Sequence, residues 1–192
     1  IREFGVFAAN FNSNCLDESH ARPEIVAALR DRFEQQLRDR DGRRPSPGRV
    51  RMLEKTPKNA LRIPFLAAAF PEARFVFLHR DPREVLASMM EAWESGRFRT
   101  YPGLPGWGGA LPWSLLLVPG WREMAGLPLN ELVAAQWEVT MRTMLDDLEQ
   151  IPRDRVVIAR YATLISDPSA EIARLCRELG LGWDTALDAA LP

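Results

Sequence analysis

Residues 74–88 read Arg-Phe-Val-Phe-Leu-His-Arg-Asp-Pro-Arg-Glu-Val-Leu-Ala-Ser, and the order of residue types in this stretch decides the fold. Arg74 to Leu78 is a short apolar run of the kind that forms a strand covered on both faces. Asp81-Pro82-Arg83-Glu84 is a helix start, with a capping carboxylate, proline in the first turn and glutamate three after the cap. Strand, tight turn and helix in that order make the junction where parallel α/β folds bind ligands. Arg80 sits at that junction, and its guanidinium suits a phosphate gripped through two parallel hydrogen bonds. Ser88 follows eight residues later, about two helical turns in, and offers a further hydroxyl. The same residues also suit an ion pair with an acidic neighbour and a small packing serine, and chemistry alone leaves both readings open.

Working outward, residues 21–39 predict an amphipathic helix, with Ile25, Leu29, Phe33 and Leu37 recurring every fourth position. Val50 to Glu54 suits a short strand, and Thr56-Pro57 starts a helix that Pro64 kinks or restarts. The helix begun at Asp81 is expected to run to about Ser95. Downstream, Asn130 opens a long helix with Val133, Trp137, Met141, Met144, Leu145 and Leu148 on one face. Val156–Ala159 is a further buried-strand candidate, and Asp167-Pro168 caps a last helix that Gly180 stops. Strands alternating with helices predict an α/β fold, a mainly parallel sheet flanked by helices. Residues 1–192 are read as a single partial domain, with 96–128 an irregular aromatic-rich loop or lid. Its Trp107, Trp113 and Trp121 suit an acceptor pocket as well as a core, and the core is favoured for each; Trp93 and Trp137, on helices, are read as core.

Composition narrows the partners. Apolar residues make up 46% of the chain, enough for a core, and the formal net charge of −1 argues against coating nucleic acid or an anionic membrane. No window approaches the ~18 apolar residues of a membrane span, and the first residues lack a signal-peptide layout, so a cytoplasmic location is expected. Two cysteines and two histidines, all scattered, make no zinc set, and no metal is expected. His20 reads as a residue of a capping region, and alternation turns His79 away from Arg80.

Three ordered passages carry a resemblance. Leu53-Glu54-Lys55-Thr56-Pro57 with Phe70-Pro71-Glu72-Ala73-Arg74-Phe75, then Arg80 with Ser88, then Arg160-Tyr161-Ala162-Thr163-Leu164 with Asp167-Pro168 resemble bacterial and tyrosylprotein-type sulfotransferases. The resemblance covers about residues 50 to 183. It implies a P-loop-like nucleotide-binding fold and, as sulfuryl donor, 3′-phosphoadenosine-5′-phosphosulfate (PAPS). It also implies that Arg80 and Ser88 bind the 3′-phosphate, that Tyr161 contacts the nucleotide, and that Lys55 faces the transferring group, with Lys58 its competitor. The acceptor is then a small molecule, a carbohydrate or a peptide, reacting through a hydroxyl or amine.

The family's sulfate-cradling loop, rich in Gly, Ser and Thr, has no counterpart here; the only Gly-Gly pair, Gly108-Gly109, follows no strand. That loop is expected upstream of Ile1, which makes the chain an incomplete domain with half a site and little transferase activity alone. Two other readings remain: a nucleotide-dependent phosphotransferase, which needs a Walker-type loop, and a non-catalytic nucleotide-binding or interaction domain of the same fold.

Overall fold

The computed structural model describes residues 5, 11–39, 41–44 and 51–183. Helix α1 (Pro23–Gln36) presents Ile25, Leu29 and Phe33 half-buried, and Phe33 meets Phe70 with ring centroids 6.0 Å apart. A 3-10 turn (Pro57–Leu61) follows Thr56, whose hydroxyl bonds Glu54 rather than capping the turn. Pro64 sits in the first turn of α2 (Ile63–Ala69), where its missing N–H costs nothing, so the helix restarts at this point.

Strand β1 (Phe75–His79) leads into α3 (Pro82–Ser95), capped by the Asp81 carboxylate accepting from the Arg83 backbone N–H at 2.9 Å. Gly96 ends α3 at φ 63°, a left-handed conformation that glycine adopts without strain. A small antiparallel pair, β2 (Arg99–Tyr101) with β3 (Trp113–Ser114), organises part of the aromatic-rich stretch. Helix α4 (Leu129–Glu149) begins one residue before the expected Asn130. It returns the chain to β4 (Val156–Arg160), followed by α5 (Tyr161–Ser166) and α6 (Pro168–Glu178), whose cap is Asp167.

Strands β1 and β4 pair in parallel, from Phe75 beside Val156 to His79 beside Arg160. Arg155 sets the entry register, donating from Nε to the Ala73 carbonyl at 2.9 Å. The described chain is thus mixed α/β with a parallel sheet flanked by helices. Burial of the sheet is unequal. Val157 and Ala159 are buried, but Val76 is 41% exposed, Leu78 50% and Ile158 52%. The expectation of a strand covered on both faces therefore fails for β1: α5 and α6 pack on β4, and β1 has no second strand neighbour among the described residues. Residues 51–54 form no strand, because nothing described pairs with them; Val50 lies outside the described residues.

The main core sits beside the sheet, between α3, α4 and the aromatic-rich stretch. Trp93, Trp113 and Trp121 are almost wholly buried with Leu61, Leu117, Val118 and Val133. Trp93 and Trp107 both meet Trp113 edge-on, at 5.4 and 4.9 Å between ring centroids. Gln136, buried on α4, accepts from Trp93 Nε1 and donates to the carbonyls of Ser114 and Leu116. Asn14 does the same from the other side, exchanging backbone and side-chain bonds with Leu117. Trp137 is only half-buried, because the buried face of α4 runs through Leu132, Val133 and Gln136.

Candidate active site

Parallel pairing fixes which residues meet at the end of the sheet. His79 lies beside Arg160, so the next residues of the two strands, Arg80 and Tyr161, emerge side by side. The Arg80 guanidinium stacks over the Tyr161 ring, 4.4 Å from its centroid. Its Nε donates to Glu84 Oε2 at 2.9 Å, one turn into α3, and its side chain is about one-third exposed. Ring and carboxylate together hold the guanidinium in one plane, while its terminal Nη groups have no partner among the described residues.

Ser88 lies on the face of α3 that shares a cleft of about 470 Å³ with Arg80. Val85, Met89 and Ala92 floor this cleft along the helix, and Arg97, Phe98 and Leu115 close its far end. Leu115 is the one described non-glycine residue with positive φ, at 64°, and its N–H bonds the Phe98 carbonyl at 3.1 Å. A leucine held in that conformation is strained, and such positions concentrate at ligand sites.

Lys55 is exposed on the irregular segment before the Pro57 turn and is not part of the cleft lining. Beside it, Glu54 ties the hydroxyl of Thr56 and the amide of Asn59 into a knot that fixes the turn. Lys58, the competitor, is the more constrained of the two lysines and is half-buried. Its Nζ donates to Tyr101 Oη at 3.2 Å and lies 5.1 Å from that ring's centroid. Arg83 is exposed and paired with Asp81, whose carboxyl is held down at about 2 by the Arg83 guanidinium and backbone N–H. His20 closes a capping box with Asp17. The ion pair with an acidic neighbour that the sequence leaves open for Arg80 is present, with Glu84, whereas sequence reading missed Arg97, Phe98 and Leu115. The i, i+4, i+7 spacing of Ser88, Ala92 and Ser95 signals one helix face; Leu115 reaches the cleft only through the β2–β3 pairing.

In this mixed α/β protein, an arginine braced at the end of a parallel strand shares a cleft with a helix hydroxyl, at the strand-end position where such folds take ligands. The sequence profile of the Sulfotransferase family matches residues 2–107 and 116–185, and the chain belongs to that family. The internal segment between the two matched stretches, 108–115, supplies Leu115 to the cleft. Among characterised relatives, the omega-hydroxy-beta-dihydromenaquinone-9 sulfotransferases Stf3 of Mycobacterium bovis and Mycobacterium tuberculosis are each 26% identical over 134 residues. That alignment covers 70% of this chain and 30% of each relative, so the chain spans about a third of the length of the curated proteins it matches. No solved structure matches the chain significantly.

Proposed function

We propose that this chain carries the nucleotide-binding part of a PAPS-dependent sulfotransferase with a P-loop-like fold, Arg80 and Ser88 holding the donor's 3′-phosphate. The observation that carries the reading is the shared cleft of Arg80 and Ser88 at the end of β1, with Tyr161 stacked on the guanidinium. The residues fit the ligand. Arg80 keeps its paired Nη donors for two phosphate oxygens, Ser88 adds a hydroxyl, and the cleft volume falls in the range of small-molecule sites.

The bound donor supplies an activated sulfuryl group. In the transfer, an acceptor oxygen or nitrogen forms a bond to sulfur. The bond from sulfur to the 5′-phosphate oxygen breaks, its electron pair leaves with 3′-phosphoadenosine-5′-phosphate, and the acceptor's proton passes to solvent water. Negative charge grows on the bridging oxygen, and Lys55 is assigned to stabilise it there more than in the ground state. No step requires a metal. The acceptor is a small molecule, carbohydrate or peptide; the lipid-quinone alcohol in the name of the mycobacterial relatives favours an acceptor with a substantial apolar part. Among the described residues no helix is long and apolar enough to cross a membrane.

Two substitutions separate binding from chemistry. In the intact parent protein, Lys55→Ala is expected to lower the turnover of labelled donor by about 100-fold or more while binding of 3′-phosphoadenosine-5′-phosphate stays within about twofold. Arg80→Ala is expected to weaken that binding by roughly 10- to 100-fold, the size of a lost charge-assisted pair. Unchanged turnover in the lysine variant removes Lys55 from the chemistry, and unchanged nucleotide affinity in the arginine variant removes the site.

A further inference from the structure

The cleft continues well past the group that Arg80 and Ser88 hold. Ser88 and Ser95 both line it and stand two helical turns apart, about 10 Å along α3. At Gly96 the chain reverses through its left-handed turn, which brings Arg97 and Phe98 back onto the same cleft. Phe98 is 56% exposed there, an aromatic ring left against open space. Leu115 lies next to it at this end of the cleft, its N–H bonded to the Phe98 carbonyl at 3.1 Å and its φ at 64°. Met89 and Ala92 complete an apolar surface between the two ends.

The charges are arranged unequally. Glu84 is engaged by Arg80 at the near end. At the far end Arg97 bonds Ser95 only through its backbone N–H, and its guanidinium has no ion pair or hydrogen bond among the described residues. Glu91 also lines the cleft but makes no pair with Arg97 within salt-bridge distance. An unpaired planar fork beside an apolar pocket matches a carboxylate carried on an apolar body, since both of its parallel N–H groups find an oxygen.

We propose that the far end of the cleft is the acceptor subsite, that it takes a compact acceptor with an apolar body, and that Arg97 selects acceptors bearing an anionic group such as a carboxylate. This rests on the reading of Arg80 and Ser88 as the donor-phosphate site, which places the nucleotide at the near end. The acceptor body lies against Met89, Ala92, Phe98 and Leu115, and Arg97 is a specificity-determining residue with no part in bond making. Leu115 comes from the internal segment outside the family match, whereas Met89, Ala92 and Phe98 lie within it.

The test is calorimetry on the protein saturated with 3′-phosphoadenosine-5′-phosphate, using 2-naphthoate and its neutral counterpart 2-naphthalenemethanol as probes. Naphthoate is expected to bind about tenfold or more tightly than the neutral probe. Arg97→Met is expected to erase that preference while leaving both the neutral probe and the nucleotide within about twofold, as loss of one charge-assisted contact dictates. Equal affinities in the wild type, no naphthoate binding, or a preference that survives Arg97→Met overturns the proposal. Absence of nucleotide binding in the wild type fails the donor reading itself, whereas normal nucleotide binding with no probe preference fails the acceptor assignment alone.

Discussion

Arg80 depends on residues that never touch the cleft. Its stacking partner Tyr161 follows directly on β4, and the end of β4 is held by Glu171 of α6. That carboxylate, only 4% exposed, accepts from the Arg160 backbone N–H at 2.9 Å and from two nitrogens of Arg174. The Arg174 guanidinium and then the Arg160 N–H hold the Glu171 carboxyl down at about 2, below its ordinary value of 4.5. A carboxylate depressed by folding contributes stability that is fully present above about pH 4.5 and is lost as pH falls towards 2. Glu171→Gln is therefore expected to unfold at a lower temperature than wild type at neutral pH, and the gap is expected to narrow steadily below pH 4.5. Melting curves followed by circular dichroism across that range check it; a gap independent of pH contradicts the ionic account.

At the scale of elements, the segment between α3 and α4 shows where sequence reading reaches its limit. Its tryptophans follow no helical or strand period, so periodicity gives no element there. The burial comes from long-range partners. Gln136 reaches two carbonyls of the segment from α4, and Asn14 holds Leu117 from about a hundred residues away in sequence. Removing the Gln136 amide takes the bonding partner from the buried Trp93 N–H and from the Ser114 carbonyl, while the Leu116 carbonyl keeps its bond from Trp113 Nε1. Gln136→Leu is expected to cost about 2–4 kcal/mol in urea unfolding, in keeping with two buried groups left unpaired. A change below about 0.5 kcal/mol would show that the amide is not what joins the segment to α4. By contrast α3 was legible almost to the residue, because Asp81, Pro82 and Gly96 state its ends chemically. Strand β1 was legible in position but not in burial, since its exposed flank depends on neighbours a local window does not contain.

Across the whole molecule, the folding logic brings two distant parts of the chain to one sheet edge. Arg80 and Tyr161 are 81 positions apart in sequence, and only the parallel register of β1 with β4 makes them neighbours. Each member of the proposed donor site was visible in sequence as a motif residue, and their meeting is a consequence of that register. Lys55 stands apart, exposed and outside the cleft, because the segment carrying it pairs with no strand among the described residues. The far half of the cleft, with Arg97 and Leu115, was hidden because it is assembled across a turn and a hairpin. The proposed donor site requires recognition of a single phosphate on the nucleotide's 3′-oxygen. The most direct measurement compares affinities for 3′-phosphoadenosine-5′-phosphate and adenosine 5′-phosphate, which differ by that phosphate alone, in the wild type and in Arg80→Ala. The wild type is expected to favour the bisphosphate by roughly 10- to 100-fold, and the variant to bind the two nearly alike. Equal binding by the wild type, or a preference undiminished without the arginine, contradicts the assignment.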